Sequence, residues 1–153
     1  MTHINAVAQR FRDYAAAMMM NAVSTGTGSG ALTERPLVAI VDDDPAVRNS
    51  LKFSLELEGF AVHAYRSGTE LLDACDLDQC QCFVIDQRMP QKSGLDVAEA
   101  LRDRQIATPV ILIISHPNAV LSTRAAKAGI TIVEKPLLGD ALVDRIREAC
   151  GLH

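Results

Sequence analysis

The chain has 153 residues, the size of one ordinary domain with a modest core; 48% are apolar and only 4% aromatic, which points to an aliphatic α/β interior. Its net charge is −4, with acid concentrated in the run Asp42-Asp43-Asp44, and this argues against broad nucleic-acid binding, which needs a basic surface. No apolar run approaches the roughly 20 residues that span a bilayer. The charged start, Met1 to Ala17, lacks the continuous apolar core of a secretory signal.

Residues 1–35 differ from the rest and are expected to form an extension, with a single domain over 36–153. Ile4, Val7, Ala8, Phe11, Ala15, Met18 and Ala22 recur at helical spacing as one face of an amphipathic helix, and Ser24 to Gly30 reads as a flexible linker. A helix this short is marginal in water, which favours a frayed extension over a docking or dimerisation arm.

From Pro36 onward strands and helices alternate. Leu37 to Val41 is an apolar strand ending at the aspartates, and Pro45 to Leu57 is a helix, with Pro45 suited to its first turn and Asp44 to its N-cap. Gly59 stops that helix. Ala61 to Tyr65 is the second strand, and Ser67 caps a helix expected over Gly68 to Cys75. Cys82 to Ile85 is the third strand, ending in Asp86; a loop through Met89-Pro90 to Gly94 leads to a helix over Leu95 to Asp103. Val110 to Ile114, Thr131 to Val133, and helices over Asn118 to Ala128 and Asp140 to Cys150 complete the pattern.

Short strands that are apolar on both sides, alternating with helices, call for a doubly wound parallel sheet. Right-handed crossovers favour the flavodoxin-like (βα)5 arrangement with strand order 2-1-3-4-5. Strands 1 and 3 then flank a switch point, and their C-terminal ends open onto a ligand crevice.

Into that crevice strand 1 delivers Asp42, Asp43 and Asp44, strand 3 delivers Asp86, and strand 5 brings Lys135 in Glu134-Lys135-Pro136. Clustered carboxylates raise one another's pKa unless a cation neutralises them, and hard oxygen ligands with room for water suit Mg²⁺. An aspartate also serves as a nucleophile toward phosphorus, and a lysine pairs with a phosphoryl oxygen. Helix capping alone explains one or two of these acids, but not acids on two neighbouring strands with a lysine on a third. The four cysteines, Cys75, Cys80, Cys82 and Cys150, form no paired CxxC and lack a nearby histidine to complete a zinc set; free thiols in a reducing cytoplasm are expected.

Val41-Asp42-Asp43-Asp44-Pro45-Ala46-Val47-Arg48, Ile85-Asp86-Gln87-Arg88-Met89-Pro90 with Ser93-Gly94, Lys127-Ala128-Gly129 and Glu134-Lys135-Pro136 together resemble the response-regulator receiver family, in the CheY-like superfamily and nearest its FixJ-type members. The resemblance covers Pro36 to Cys150. It implies a two-component phosphorelay module, and not an enzyme, with Asp86 as phospho-acceptor. It further implies Mg²⁺ held by Asp43, Asp86 and the Arg88 backbone carbonyl, Asp42 assisting through water, Lys135 on the phosphoryl group, and a cis bond before Pro136. Implied partners are a sensor histidine kinase or phosphotransfer protein as donor, and a target protein docking on the fourth and fifth strands and their helices. A homodimer is among the implied assemblies; the setting is cytoplasmic, without membrane or direct nucleic-acid contact. Three residues follow Cys150, so a stand-alone receiver or one separated from an output domain is expected.

Two positions depart from the family. Its hydroxyl residue at the end of strand 4 is here Ile114, with Ser115 one place along and so pointing to the opposite face. Its aromatic on strand 5 is here Ile132. These departures keep an atypical pseudo-receiver, binding partners without phosphate, as the alternative. A haloacid-dehalogenase-type phosphohydrolase finds its Asp-x-Asp in Asp42-Asp43-Asp44 but lacks a late acidic pair. A flavodoxin would need a loop after strand 1 that attracts the flavin phosphate, where this one is acidic.

Overall fold

The computed structural model describes residues 35–137 and 140–152. The helical stripe and linker expected in the extension lie outside the described residues. Five strands form one sheet in the order β2-β1-β3-β4-β5, as expected from the sequence. They are β1 (Leu37–Val41), β2 (Ala61–Tyr65), β3 (Cys82–Asp86), β4 (Val110–Ile114) and β5 (Thr131–Glu134), and every pairing is parallel.

Alternation along the central strands sends successive side chains to opposite faces, and helices cover both. Ala39, Val41, Phe83, Ile85, Leu112 and Ile114 face α2 (Gly68–Leu72), α3 (Gly94–Asp103) and α4 (Ala119–Lys127). Val38, Ile40, Cys82, Val84, Ile111 and Ile113 face α1 (Pro45–Leu57) and α5 (Ala141–Ala149). Burying both faces explains why β1, β3 and β4 read as unbroken apolar runs.

Helix boundaries follow local chemistry. Asp44 caps α1 by accepting the Ala46 N–H at 2.9 Å, with Pro45 in the first turn, and Ser67 caps α2 by accepting from Glu70 N at 3.1 Å. At the far end of α1, Gly59 adopts φ +99°, and the Phe60 N–H reaches back to Leu55 O at 3.1 Å.

α4 and α5 are each one residue shorter at both ends than expected, and α2 is shorter by three. α2 ends at Leu72 instead of Cys75: the last turn tightens, with the Ala74 N–H on Leu71 O at 3.0 Å, and Arg104 takes the Leu72 carbonyl at 2.6 Å. The chain then makes a 3₁₀ turn over Leu77–Gln79 that buries Leu77. All four cysteines are free thiols; Cys80 and Cys82 are buried, and burial raises the Cys80 thiol to about 11 and Cys82 higher still.

Candidate phospho-acceptor site

β1 and β3 are direct neighbours, with Val41 paired to Ile85, so the residues that follow them emerge side by side at the C-terminal edge of the sheet. One carboxylate oxygen each from Asp42, Asp43 and Asp86 lies within 4.8 Å of the others. Among the described residues this is the only set of three or more acids, histidines or cysteines close enough to share an ion. Asp42 and Asp86 are buried, at 3% and 6% exposure, while Asp43 is open to solvent.

β5 brings the cation. The Lys135 N–H continues the sheet by donating to Ile114 O at 2.8 Å, and its Nζ lies 3.1 Å from Asp86 Oδ1. The peptide bond from Lys135 to Pro136 is cis, as the resemblance implied.

Asp42 is held in place by backbone. Its Oδ1 accepts the Asp44 N–H at 2.9 Å, and its own carbonyl accepts Arg48 Nη1 at 2.7 Å. Desolvation by burial is the largest influence on its carboxyl and raises its pKa; the Asp44 N–H bond opposes this, Asp86 adds to it, Lys135 opposes it and Asp43 adds to it. Three carboxylates and one ammonium leave the cluster at a formal charge of −2. That excess suits a divalent cation with hard oxygen ligands, and Mg²⁺ fits the donor set.

The remaining expected residues are placed as follows. Asp44 is exposed and acts as the α1 cap, outside the acid cluster. Arg88 is exposed and lies two residues beyond the end of β3. Ile114 is buried, with Ile132 packed against the same core cluster, and Ser115 is solvent-exposed. Neither Ile114 nor Ile132 brings a polar group to the β4–β5 side, where Lys135 stands.

Two positions of the site had no role assigned from sequence. Arg48 clamps the Asp42 carbonyl from the first turn of α1. Gln87 ties β3 to α3, accepting the Leu95 N–H on Oε1 at 2.8 Å and the Gly94 N–H on its carbonyl at 3.1 Å. Gly94 itself fits closely: a Cβ there would stand 2.5 Å from Asp86 O.

Comparison with known proteins identifies the family. Residues 38–147 match the model of the response regulator receiver domain. The chain is 39% identical over 116 residues to the transcriptional regulatory protein FixJ of Azorhizobium caulinodans, covering 74% of this chain and 54% of that protein. It is 34% identical over 119 residues to the C4-dicarboxylate transport transcriptional regulatory protein DctR of Rhodobacter capsulatus, covering 76% of this chain and 60% of that one. Among solved structures, FixJ-N superposes with a TM-score of 0.64 at 34% identity, covering 75% of this chain and 92% of that chain. The chain belongs to the response-regulator receiver family. It spans between half and two thirds of the length of these two curated relatives.

Proposed function

We propose that this chain is a phospho-receiver whose Asp86 takes a phosphoryl group from a sensor histidine kinase or phosphotransfer protein and signals by changing its affinity for a target protein. The observation that carries this reading is the pairing of Lys135 Nζ with a buried Asp86 carboxylate beside Asp42 and Asp43.

In this reading an Asp86 oxygen attacks phosphorus, a new O–P bond forms, and the donor's bond to phosphorus breaks, leaving its electron pair on the donor. Lys135 orients the carboxylate and pairs with a phosphoryl oxygen as charge is transferred. Asp43, Asp86 and the Arg88 carbonyl would hold Mg²⁺, with Asp42 assisting through water. The bound ion supplies positive charge against the phosphoryl oxygens and lets three carboxylates share one pocket. Burial of Asp86 limits water at the acyl phosphate. Transcriptional output, as named for the relatives, would require a further domain or partner, and the setting is the cytoplasm.

The alternative of phosphate-independent partner binding rests on Ile114 and Ile132. A phosphoryl group on Asp86 meets no hydroxyl from Ile114, the residue that ends β4, so the polar contact that would favour an active state is missing there. Intact-protein mass spectrometry after incubation with acetyl phosphate, with and without Mg²⁺, tests the main reading. A Mg²⁺-dependent, alkali-labile phosphate adduct on wild type and none on Asp86→Asn is expected. Absence of an adduct with both acetyl phosphate and a phosphorylated phosphotransfer domain, on folded protein that binds Mg²⁺, would replace it with the pseudo-receiver reading.

A further inference from the structure

The six residues from Arg88 to Ser93 connect the proposed acceptor strand to α3, and Gln87 supplies much of their anchorage. A helix begins with N–H groups that have no partner within the helix. In α3 each of the first four is satisfied. Ser93 and Asp96 satisfy each other in a capping box, with both bonds at 3.2 Å. The two between them, Gly94 N and Leu95 N, both go to Gln87: to its carbonyl at 3.1 Å and to its side-chain Oε1 at 2.8 Å. The Gln87 N–H is in turn fixed on Ile113 O of β4 at 2.9 Å.

Gln87 thus joins both ends of the loop and the sheet at one point. Within the loop, Lys92 N donates to Pro90 O at 2.8 Å around Gln91 at φ +70°, a tight three-residue turn. Met89 packs on the core, while Arg88, Pro90, Gln91 and Lys92 are exposed. The backbone of Arg88, next in chain to Gln87, therefore owes its placement chiefly to the Gln87 bonds and the Met89 contact.

We infer that Gln87 is a positioning residue for the proposed cation site: its side-chain bond to Leu95 N holds the 88–93 loop, and with it the Arg88 carbonyl that the proposed Mg²⁺ site uses. This rests on the proposed Mg²⁺ site and extends it to a residue that touches neither ion nor phosphoryl group. Partners outside the ligand shell are worth about 10- to 100-fold in metal affinity when they orient a ligand.

The test is a calorimetric titration of the whole chain with MgCl₂, paired with the protection of the Leu95 amide from hydrogen exchange. Gln87→Met and Gln87→Ala, which lack the acceptor, are expected to bind Mg²⁺ about tenfold more weakly, with Leu95 exchanging faster. Gln87→Glu keeps an acceptor at the helix N-terminus and is expected to return to within about threefold of wild type. Ser93→Ala loosens the start of α3 without touching Gln87, and is expected to lose stability while keeping its Mg²⁺ affinity. Unchanged affinity in Gln87→Met and Gln87→Ala, or no recovery in Gln87→Glu, overturns the positioning role. A wild-type chain that binds no Mg²⁺ instead overturns the site reading, and a result confined to the variants does not touch that reading.

Discussion

Replacing Asp42 with asparagine should stabilise the metal-free protein at neutral pH. The carboxylate is buried and sits within 4.8 Å of both Asp43 and Asp86. At that separation two like charges repel by about 0.9 kcal/mol in bulk water and about 3.5 kcal/mol at an effective dielectric near 20. Asp43 is exposed, so its share lies at or below the lower figure once solvent screening is counted; Asp86 is buried, and its share is larger. Desolvation of Asp42 adds to the penalty, while lost attraction to Lys135 subtracts from the gain. Asparagine keeps an oxygen to accept the Asp44 N–H, so that bond survives. The balance is a gain of about 2 kcal/mol, or roughly 8 °C in Tm for a domain of this size.

The sign depends on pH in a defined way. The folded-state pKa of Asp42 lies above its ordinary value of 3.8, so the native state holds this proton more tightly than the unfolded chain. Below that ordinary value both states are protonated, and Asp42→Asn should match wild type. The penalty on wild type grows as pH rises from about 4 and is complete once pH passes the raised folded value. Urea unfolding in EDTA, followed by circular dichroism across this range, measures it. With Mg²⁺ at a hundred times its Kd, wild type gains about 2.7 kcal/mol and the variant less, so the gap narrows. A variant less stable than wild type at pH 7 without divalent ions, or a gain independent of pH, would refute the reasoning.

Three other perturbations have expected outcomes. Lys135→Met removes the ammonium 3.1 Å from Asp86 Oδ1 and should slow acyl-phosphate formation by about 10²-fold, read by time-resolved mass spectrometry, with the adduct still on Asp86. Arg102 donates to three carbonyls, Ala128 O at 3.0 Å, Ile106 O at 2.8 Å and Thr108 O at 2.9 Å. Arg102→Met should therefore lower stability by about 2–4 kcal/mol, seen as a lower urea midpoint at unchanged slope. Gln105 closes α3 at φ +63°, where a side chain is strained, and Gln105→Gly should raise stability by about 0.5–1 kcal/mol in the same assay.

What could be read from sequence was whatever depends on short range or on strand order. Val38 to Val41, Cys82 to Ile85 and Val110 to Ile114 are apolar at every position because helices cover both sides of those strands. Once strands 1 and 3 are neighbours, Asp42, Asp43 and Asp86 must converge, and a fifth strand beyond the fourth brings Lys135 to the same edge. The Asp44 and Ser67 caps are local events, visible as a polar residue just before a helix. Hidden features depend on backbone groups far along the chain. At the early end of α2, Arg104, 32 positions on, occupies the Leu72 carbonyl. Arg102 reaches Ala128 across 26 positions, and Gln87 reaches Leu95 only because the 88–93 loop folds back. A glutamine after a strand-end aspartate carries no such signal in its own right.

The distribution of polar and apolar contacts around Asp86 bears on how a charge placed there is felt. Toward β4 and β5 the acceptor position meets the Lys135 ammonium, 3.1 Å from Asp86 Oδ1, while Ile114 and Ile132 belong to one apolar packing layer. Toward α3 the connections are polar: Gln87 holds its first turn, and Arg124 of α4 pairs with both Asp96 and Glu99 on it. Arg102 of α3 in turn holds the carbonyl of Ala128, the C-cap of α4. α4 buries only Ala125 among its nine residues and leaves Val120 73% exposed, so apolar packing does little to fix it. Its placement depends on the arginine pairs, which respond to charge and ionic strength as a packed core does not. Besides Lys135, the charge-sensitive neighbour of Asp86 is thus α3, and the helix that α3 holds has seven of its nine residues exposed.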